Sequence, residues 1–325
     1  MSNFEFSLAP IVLFVYNRPE HTLKTLTALK NNKYADSSSL YIYCDGPKKG
    51  SDVVCTQNIS QVRKIVKSDK WCKDVYIIES EINIGLANSI KKGVTEIVNQ
   101  FGKVIVLEDD IVTSPAFLGY MNKALAYYEN KKSVFSVSGY NYPSAMINIP
   151  ADYEYDVFVS VRNSSWGWGT WADRWKLIDW ECENYKVVLN SKEIQNAFNR
   201  GGDDVYELLR MQQSGELKIW SIQATLAQFE NHLVTIFPKV SYVDNVGLDG
   251  SGENCSISIN LRNKTINTNE DIRFLDVLYE DKRIINTFYN VNCQKKRPLW
   301  QKLINRMSRL TGHKNIFVIK KKIYQ

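Results

Sequence analysis

Three consecutive acids, Glu108, Asp109 and Asp110, follow directly on the apolar run Val104-Ile105-Val106-Leu107. Carboxylates packed side by side repel one another unless solvent, hydrogen bonds or a cation compensates. A hard divalent ion, Mn²⁺ or Mg²⁺, completed by phosphate oxygens would do so. Its chemistry would be to neutralise a diphosphate leaving group as the bond to that group breaks. The plainer alternative is a solvated acidic turn ahead of a helix at Ser114-Pro115, where the helix dipole favours carboxylates. Position tips the balance toward the metal, because the triplet closes the fourth strand of a strand–helix alternation. Zinc is a poor candidate: the 3 histidines are scattered and the 6 cysteines form no C-x-x-C pair. The same dispersed cysteines fit a reduced, cytoplasmic setting.

The elements that must hold the triplet can be read from hydrophobic spacing. Ile11 to Tyr16 is continuously apolar, as expected of a strand buried on both faces. Asn17-Arg18-Pro19 ends it, and a helix with Leu23, Leu26 and Leu29 on one face follows. Leu40 to Cys44 is a second strand, closed by the turn signal Asp45-Gly46-Pro47. Val62, Ile65 and Val66 suit a helix, and Val75 to Ile78 a third strand. Leu86, Ile90, Val94, Ile97, Val98 and Phe101 define another helix, ending near Gly102. After the fourth strand and its acids, Ser114 is expected to cap a helix with Pro115 at its first position. Phe117, Leu118, Met121 and Leu125 form that helix's apolar face, and Val134 to Ser138 is a fifth strand. Such alternation predicts an α/β fold with a mostly parallel central sheet and helices on both faces. Ligands of such sheets gather at the carboxyl ends of the strands. Beyond Gly139 the pattern is less regular: helices are expected over Glu193–Met211 and Trp220–Asn231, a strand over Val240–Val243, and a flexible loop at Gly247-Leu248-Asp249-Gly250-Ser251-Gly252.

Val106-Leu107-Glu108-Asp109-Asp110-Ile111, followed by Ser114-Pro115-Ala116-Phe117-Leu118-Gly119-Tyr120-Met121, resembles the acid-triplet segment of the N-acetylglucosaminyltransferase I family. It is also similar to related bacterial family 2-like enzymes that build surface polysaccharides. The resemblance implies a Rossmann-like GT-A glycosyltransferase. Within it, Asp110 corresponds to the metal ligand, while Asp109, with Glu108 beside it, lies near the donor sugar and ribose. Pro10 to Pro19 resembles the first strand and nucleotide loop, which places Asn17 and Arg18 at the nucleotide-sugar. Asp45 resembles the acid that hydrogen-bonds uracil or ribose; an Asx-turn holding Gly46-Pro47 explains it equally well. Asn83-Ile84-Gly85-Leu86-Ala87-Asn88 resembles the loop and helix start beside the nucleotide, involving Gly85 and Asn88, with capping by Asn83 as the competitor.

In the second half, Ser165-Trp166-Gly167-Trp168-Gly169-Thr170-Trp171 resembles the glycine–tryptophan segment beneath the donor sugar, with Trp168 as its flat wall. For Trp171 and Trp175 core packing is the better reading. The late loop resembles one that closes over the diphosphate, with Asp249 within reach of metal or sugar. Two positions depart from the family pattern. Lys218 stands where relatives carry the presumed catalytic base, leaving Glu216 as the nearest acid, and Asn254 replaces a common histidine.

The chain of 325 residues is 44% hydrophobic and 12% aromatic, the balance of a globular protein with a sizeable core. Its net charge of +6 hides an acidic body and a basic end: no acid follows Asp281, whereas 12 Lys or Arg do. That asymmetry argues against a nucleic-acid binder. The first six residues show no basic segment running into an apolar one, so no secretory leader is expected. Residues 1–290 are expected to form the catalytic domain and 291–325 a basic amphipathic tail. Trp300, Leu303, Ile304, Met307 and Leu310 share a helical face suited to peripheral contact with the inner membrane leaflet, or to docking on the domain itself. The expected activity is inverting, metal-dependent transfer from a nucleotide-sugar, a UDP-sugar, to a glycan or lipid-linked glycan acceptor in bacterial surface polysaccharide synthesis. The rivals are a sugar nucleotidyltransferase, which would want a glycine-rich basic loop after the first strand, and a non-catalytic glycan-binding protein on the same fold.

Overall fold

The computed structural model describes residues 7–181, 185–252, 261–263 and 265–293, together with Ile304. In chain order the elements begin β1 (Ile11–Val15), α1 (Pro19–Lys30), β2 (Ser39–Cys44), α2 (Val53–Lys67), β3 (Asp74–Glu79), α3 (Leu86–Phe101) and β4 (Lys103–Glu108). There follow β5 (Ile111–Thr113), α4 (Phe117–Tyr128), β6 (Val134–Ser138), β7 (Val157–Ser160), β8 (Trp168–Trp171), α5 (Ala172–Trp175), α6 (Tyr185–Asn190) and α7 (Lys192–Phe198). The remainder are α8 (Asp204–Gln213), α9 (Trp220–Glu230), β9 (Val234–Pro238), β10 (Val243–Asn245) and α10 (Lys282–Asn292).

Eight strands form one sheet in the order β3-β2-β1-β4-β8-β6-β9-β7. β3, β2, β1, β4, β6 and β9 run one way, while β8 and β7 are antiparallel to their neighbours. The mostly parallel α/β sheet read from the sequence is therefore present, with one change of order: β8 inserts between β4 and β6. Pleat alternation divides the core. Ile11, Leu13 and Val15 pack with Leu26, Leu107 and Phe117 on one face. Val12 and Phe14 pack with Ile90, Val94, Val106 and Trp168 on the other. A third cluster, including Phe198, Leu209, Ile222 and Leu226, joins α6 to α9 beside the sheet.

Several sequence expectations shift. The face that α1 buries is Thr22, Thr25, Leu26 and Leu29, and Leu23 points outward at 44% exposure. Helix α4 starts two residues late: Ser114 and Pro115 enter a turn in which the Ser114 carbonyl accepts from Phe117 N, and Ala116 takes the cap position. The stretch 193–211 is two helices, broken at Gly201-Gly202, where Gly202 has a φ of 139°. The strand expected over Val240–Val243 is displaced to β10, and β9 precedes it unannounced. Most of the basic tail, and Asn254, lie outside the described residues.

Candidate active site

Parallel register brings the carboxyl ends of β1, β2 and β4 to one edge. Phe14 of β1 lies opposite Glu108 of β4, so the residues leaving these strands become neighbours. Asp45 N donates to Val15 O at 3.1 Å, which ties the end of β2 to the end of β1. Between them opens a cleft of about 1020 Å³, solvent-facing space included. Its lining includes Tyr16, Asn17, Arg18, Asp45, Lys48, Asn83, Gly85, Glu108, Asp109 and Asp110, with Ser165, Trp166, Trp220, Ser221 and Asn245 on the opposite wall.

Arg18 is the centre of its electrostatics. Its Nη2 donates to Asp109 Oδ1 and, at 2.9 Å, to Asp110 Oδ2, while Nε reaches Asp109 Oδ2 at 3.3 Å. The remaining nitrogen, Nη1, is buried without a hydrogen-bond partner among the described residues. Burial alone would lower the Arg18 pKa, and the adjacent Asp109 and Asp110 charges more than reverse this, so the guanidinium stays charged. The acids respond differently. Burial, with Asp110 and Asp109 adding to it, pushes Glu108 up to about 8. Burial also raises Asp109, against the pull of Arg18. Burial and the neighbouring acids thus disfavour the charged form of Glu108.

A small ribbon completes the site. β10 pairs antiparallel with β5, Asn245 opposite Ile111, and Val246 N donates to Asp110 O at 2.9 Å. This carries the late loop onto the acid triplet. Gly247 sits so close that a Cβ there would overlap Asp110 Oδ2 and lie 2.8 Å from Arg18 Nη1. No side chain but glycine fits without displacing the acid.

Asp45 is a positioning group. Its carboxylate accepts from Gly46 N at 2.9 Å, Ile84 N at 3.0 Å and Gly85 N at 3.1 Å, locking the loop after β2 to the loop before α3. Asn83 strengthens the same junction through Gly46 O at 3.0 Å. The Asx-turn weighed from the sequence is not formed, because Pro47, two residues on, has no N–H; the carboxylate instead takes Gly46 N and ties two loops together.

Of the residues expected from the sequence, Asn17, Arg18, Asp45, Gly85, Glu108, Asp109 and Asp110 come together in the cleft lining. Four others do not line it. Asn88 faces outward and donates back to Ile84 O, four residues earlier, at 2.9 Å. Trp168 is 1% exposed and stacks on both Trp175 and Trp220, which also contact each other, because the β8 pleat turns it into the core. Glu216 accepts from Arg210 at 3.0 Å and from Ser214 at 2.7 Å, just beyond α8. Asp249 lies 3.1 Å from His21 Nε2, and its pKa falls to about 2, chiefly through hydrogen bonding from Ser251. Trp166 and Trp220 supply the aromatic wall instead. Trp166 belongs to the segment the sequence singled out; Trp220 carried no signal beyond its helical run.

No family model and no curated protein matches the chain. Among solved structures, S. aureus TarS aligns with 72% of this chain and 36% of its own length, at 13% identity and a TM-score of 0.33. The chain thus spans about a third of TarS. The galactosyltransferase LgtC, solved with donor and acceptor sugar analogues, aligns over 67% of this chain and 69% of its own, at 10% identity and a TM-score of 0.33. UDP-glucose pyrophosphorylase complexed with UDP-glucose aligns over 72% and 91%, at 12% identity and a TM-score of 0.35. Superpositions this loose transfer no residue and no chemistry.

The donor set suits a hard cation, with one qualification of number. Among the described residues no three His, Cys, Asp or Glu side chains converge on a point that could hold a metal ion. Asp110 offers carboxylate oxygen at the cleft, and its Oδ2 is already packed against Gly247 and bonded to Arg18 Nη2. An ion bound there must take most of its ligands from phosphate and water, the usual arrangement for Mg²⁺ on nucleotides.

Proposed function

We propose that the chain is a GT-A-type glycosyltransferase that transfers a sugar from a nucleotide-sugar, a UDP-sugar, to a glycan acceptor. The observation that carries this reading is the cleft at the strand ends, where a charged, part-buried Arg18, one nitrogen of which has no partner among the described residues, meets an acid pair. Such a mixed site binds a diphosphate from two sides. Arg18 supplies a fixed positive charge at the phosphate side of the cleft, and a divalent Mn²⁺ or Mg²⁺ at Asp110, when bound, would neutralise the leaving group.

The step is an inverting displacement. An acceptor hydroxyl oxygen bonds to the anomeric carbon, the bond from that carbon to the diphosphate breaks, and its electron pair stays on phosphate. The hydroxyl proton must pass to a basic group facing the cleft, a requirement that Glu216 does not meet where it stands. Arg18 holds Asp109 and Asp110 in place before the donor arrives, so little reorganisation is needed during reaction. Asp45 keeps the two nucleotide-facing loops at a fixed separation. Participation in bacterial surface polysaccharide synthesis at the cytoplasmic membrane face belongs to the same proposal. Among the described residues no helix is long and apolar enough to cross a membrane.

The test is donor turnover by the purified chain, with UDP-, GDP-, CMP- and dTDP-sugars, in Mn²⁺ and in EDTA. Turnover with one UDP-sugar in Mn²⁺ is expected, and Asp110→Ala should lower it by about a hundredfold or more without unfolding the protein. Undiminished turnover in the variant would remove the triplet from the mechanism.

A further inference from the structure

The acids that a metal ion would use already have a cation of their own. Arg18 Nη2 bonds to Asp109 and, at 2.9 Å, to Asp110 Oδ2, and its Nε reaches Asp109 Oδ2 at 3.3 Å. Helix α1 fixes both sides of this contact through two buried threonines. Thr22 N and Oγ1 donate to Arg18 O at 2.9 and 2.8 Å, and Thr25 Oγ1 donates to Asp109 O at 2.8 Å. From the opposite side Val246 N donates to Asp110 O at 2.9 Å, and Gly247 packs against Asp110 Oδ2. Guanidinium and carboxylates therefore share one frame.

Much of the acid charge in that frame is cancelled before any ligand enters. A divalent ion approaching Asp110 by itself must share the carboxylate with a part-buried guanidinium. Like charges held so close away from water oppose each other strongly. Lys48, the other cation lining the cleft among the described residues, acts in the same sense. Hard divalent ions also want six or so oxygen ligands, and among the described residues no three acids converge to supply them. A diphosphate makes good both deficits, because it adds negative charge and oxygen atoms together.

We infer that Arg18 makes metal binding conditional on the nucleotide: the guanidinium keeps a divalent ion off Asp110 until a diphosphate enters, so ion and nucleotide bind cooperatively. The inference rests on the metal-and-donor reading of the cleft. It gives Arg18 a positioning role that acts on the ion through Asp110.

Mn²⁺ titrations of the full chain followed by EPR, which reads the free ion, test it without any turnover. Without nucleotide the wild type should bind Mn²⁺ no tighter than about millimolar, and Arg18→Gln should bind it about tenfold tighter or more. Arg18→Lys keeps the charge and should stay as weak as the wild type. Loss of a residue that served the fold alone would not raise metal affinity. Micromolar Mn²⁺ binding by the wild type without nucleotide, or no gain in Arg18→Gln, overturns the inference. If Arg18→Gln fails to fold, wild-type thermal melts decide: Mn²⁺ and UDP together should raise Tm by more than the sum of their separate shifts. Additive shifts overturn the coupling. A wild type that binds no UDP, with or without Mn²⁺, instead removes the donor-site reading, and the Mn²⁺ titrations of the variants judge Arg18 separately.

Discussion

Arg18 and Asp110 show how much of this site is settled by single atoms. One guanidinium nitrogen bridges two carboxylates, and another is left over, pointing toward Gly247. Because the glycine has no Cβ, Gly247→Ala should push Asp110 and Arg18 apart. Donor turnover should fall by about tenfold or more, and stability by roughly 1–3 kcal/mol through overpacking. Chemical denaturation alongside kinetics would measure both, and an alanine variant indistinguishable from wild type would deny the close approach. Glu216 offers the opposite expectation. It is half-exposed, paired with Arg210 and outside the cleft. Glu216→Gln should leave kcat within about twofold, as surface substitutions usually do; a loss above about a hundredfold would require the 214–219 segment to move into the cleft.

At the scale of elements, the β5–β10 ribbon and strand β8 do the positioning. The ribbon ties Asp110 to the late loop through one ladder and the Val246–Asp110 backbone bond. β8 places its two tryptophans on opposite faces: Trp171 joins the α4 side and Trp168 the α3 and α9 side. Trp168, stacked 4.9 Å from Trp220, supports the wall of the cleft from behind. Trp168→Ala should therefore cost roughly 3–5 kcal/mol of stability. It should also weaken donor affinity as Trp220 loses its backing. A thermal melt showing under about 1 kcal/mol of change would mean that the stack carries little of the fold's stability.

At the scale of the whole molecule, charge and shape divide the labour. The acidic body holds the cleft, and the basic end beyond Asp281 holds 12 of the 41 Lys and Arg residues. α10, at the start of that end, buries Ile284 and Phe288 against the aromatic side of the body. The residues beyond it carry the amphipathic pattern proposed to meet an anionic membrane, each basic group there contributing about 1 kcal/mol. Deleting 295–325 should then reduce flotation with anionic liposomes while donor turnover in solution persists. Equal flotation of the shortened chain would assign those charges to solvent.

Local chemistry made the first half of the chain readable. Buried parallel strands are uniformly apolar, helices repeat every three to four residues, and acids directly after a buried strand are costly unless used. From these the sheet, its open edge and the residues from Asn17 to Asp110 could be named. What only the tertiary structure decided are matters of contact between distant segments: β8 entering between β4 and β6, β10 seeking β5, and Asp45 serving backbone N–H groups 39 and 40 residues away. Trp168 and Trp166, two residues apart, share a composition but not a role. The turn at Gly167, with a φ of 61°, separates them: Trp168 lies wholly in the core, while Trp166, also buried, lines the cleft. Sequence spacing records which residues suit water and which do not; pairing partners are chosen by packing across the folded chain, where local pattern carries no information.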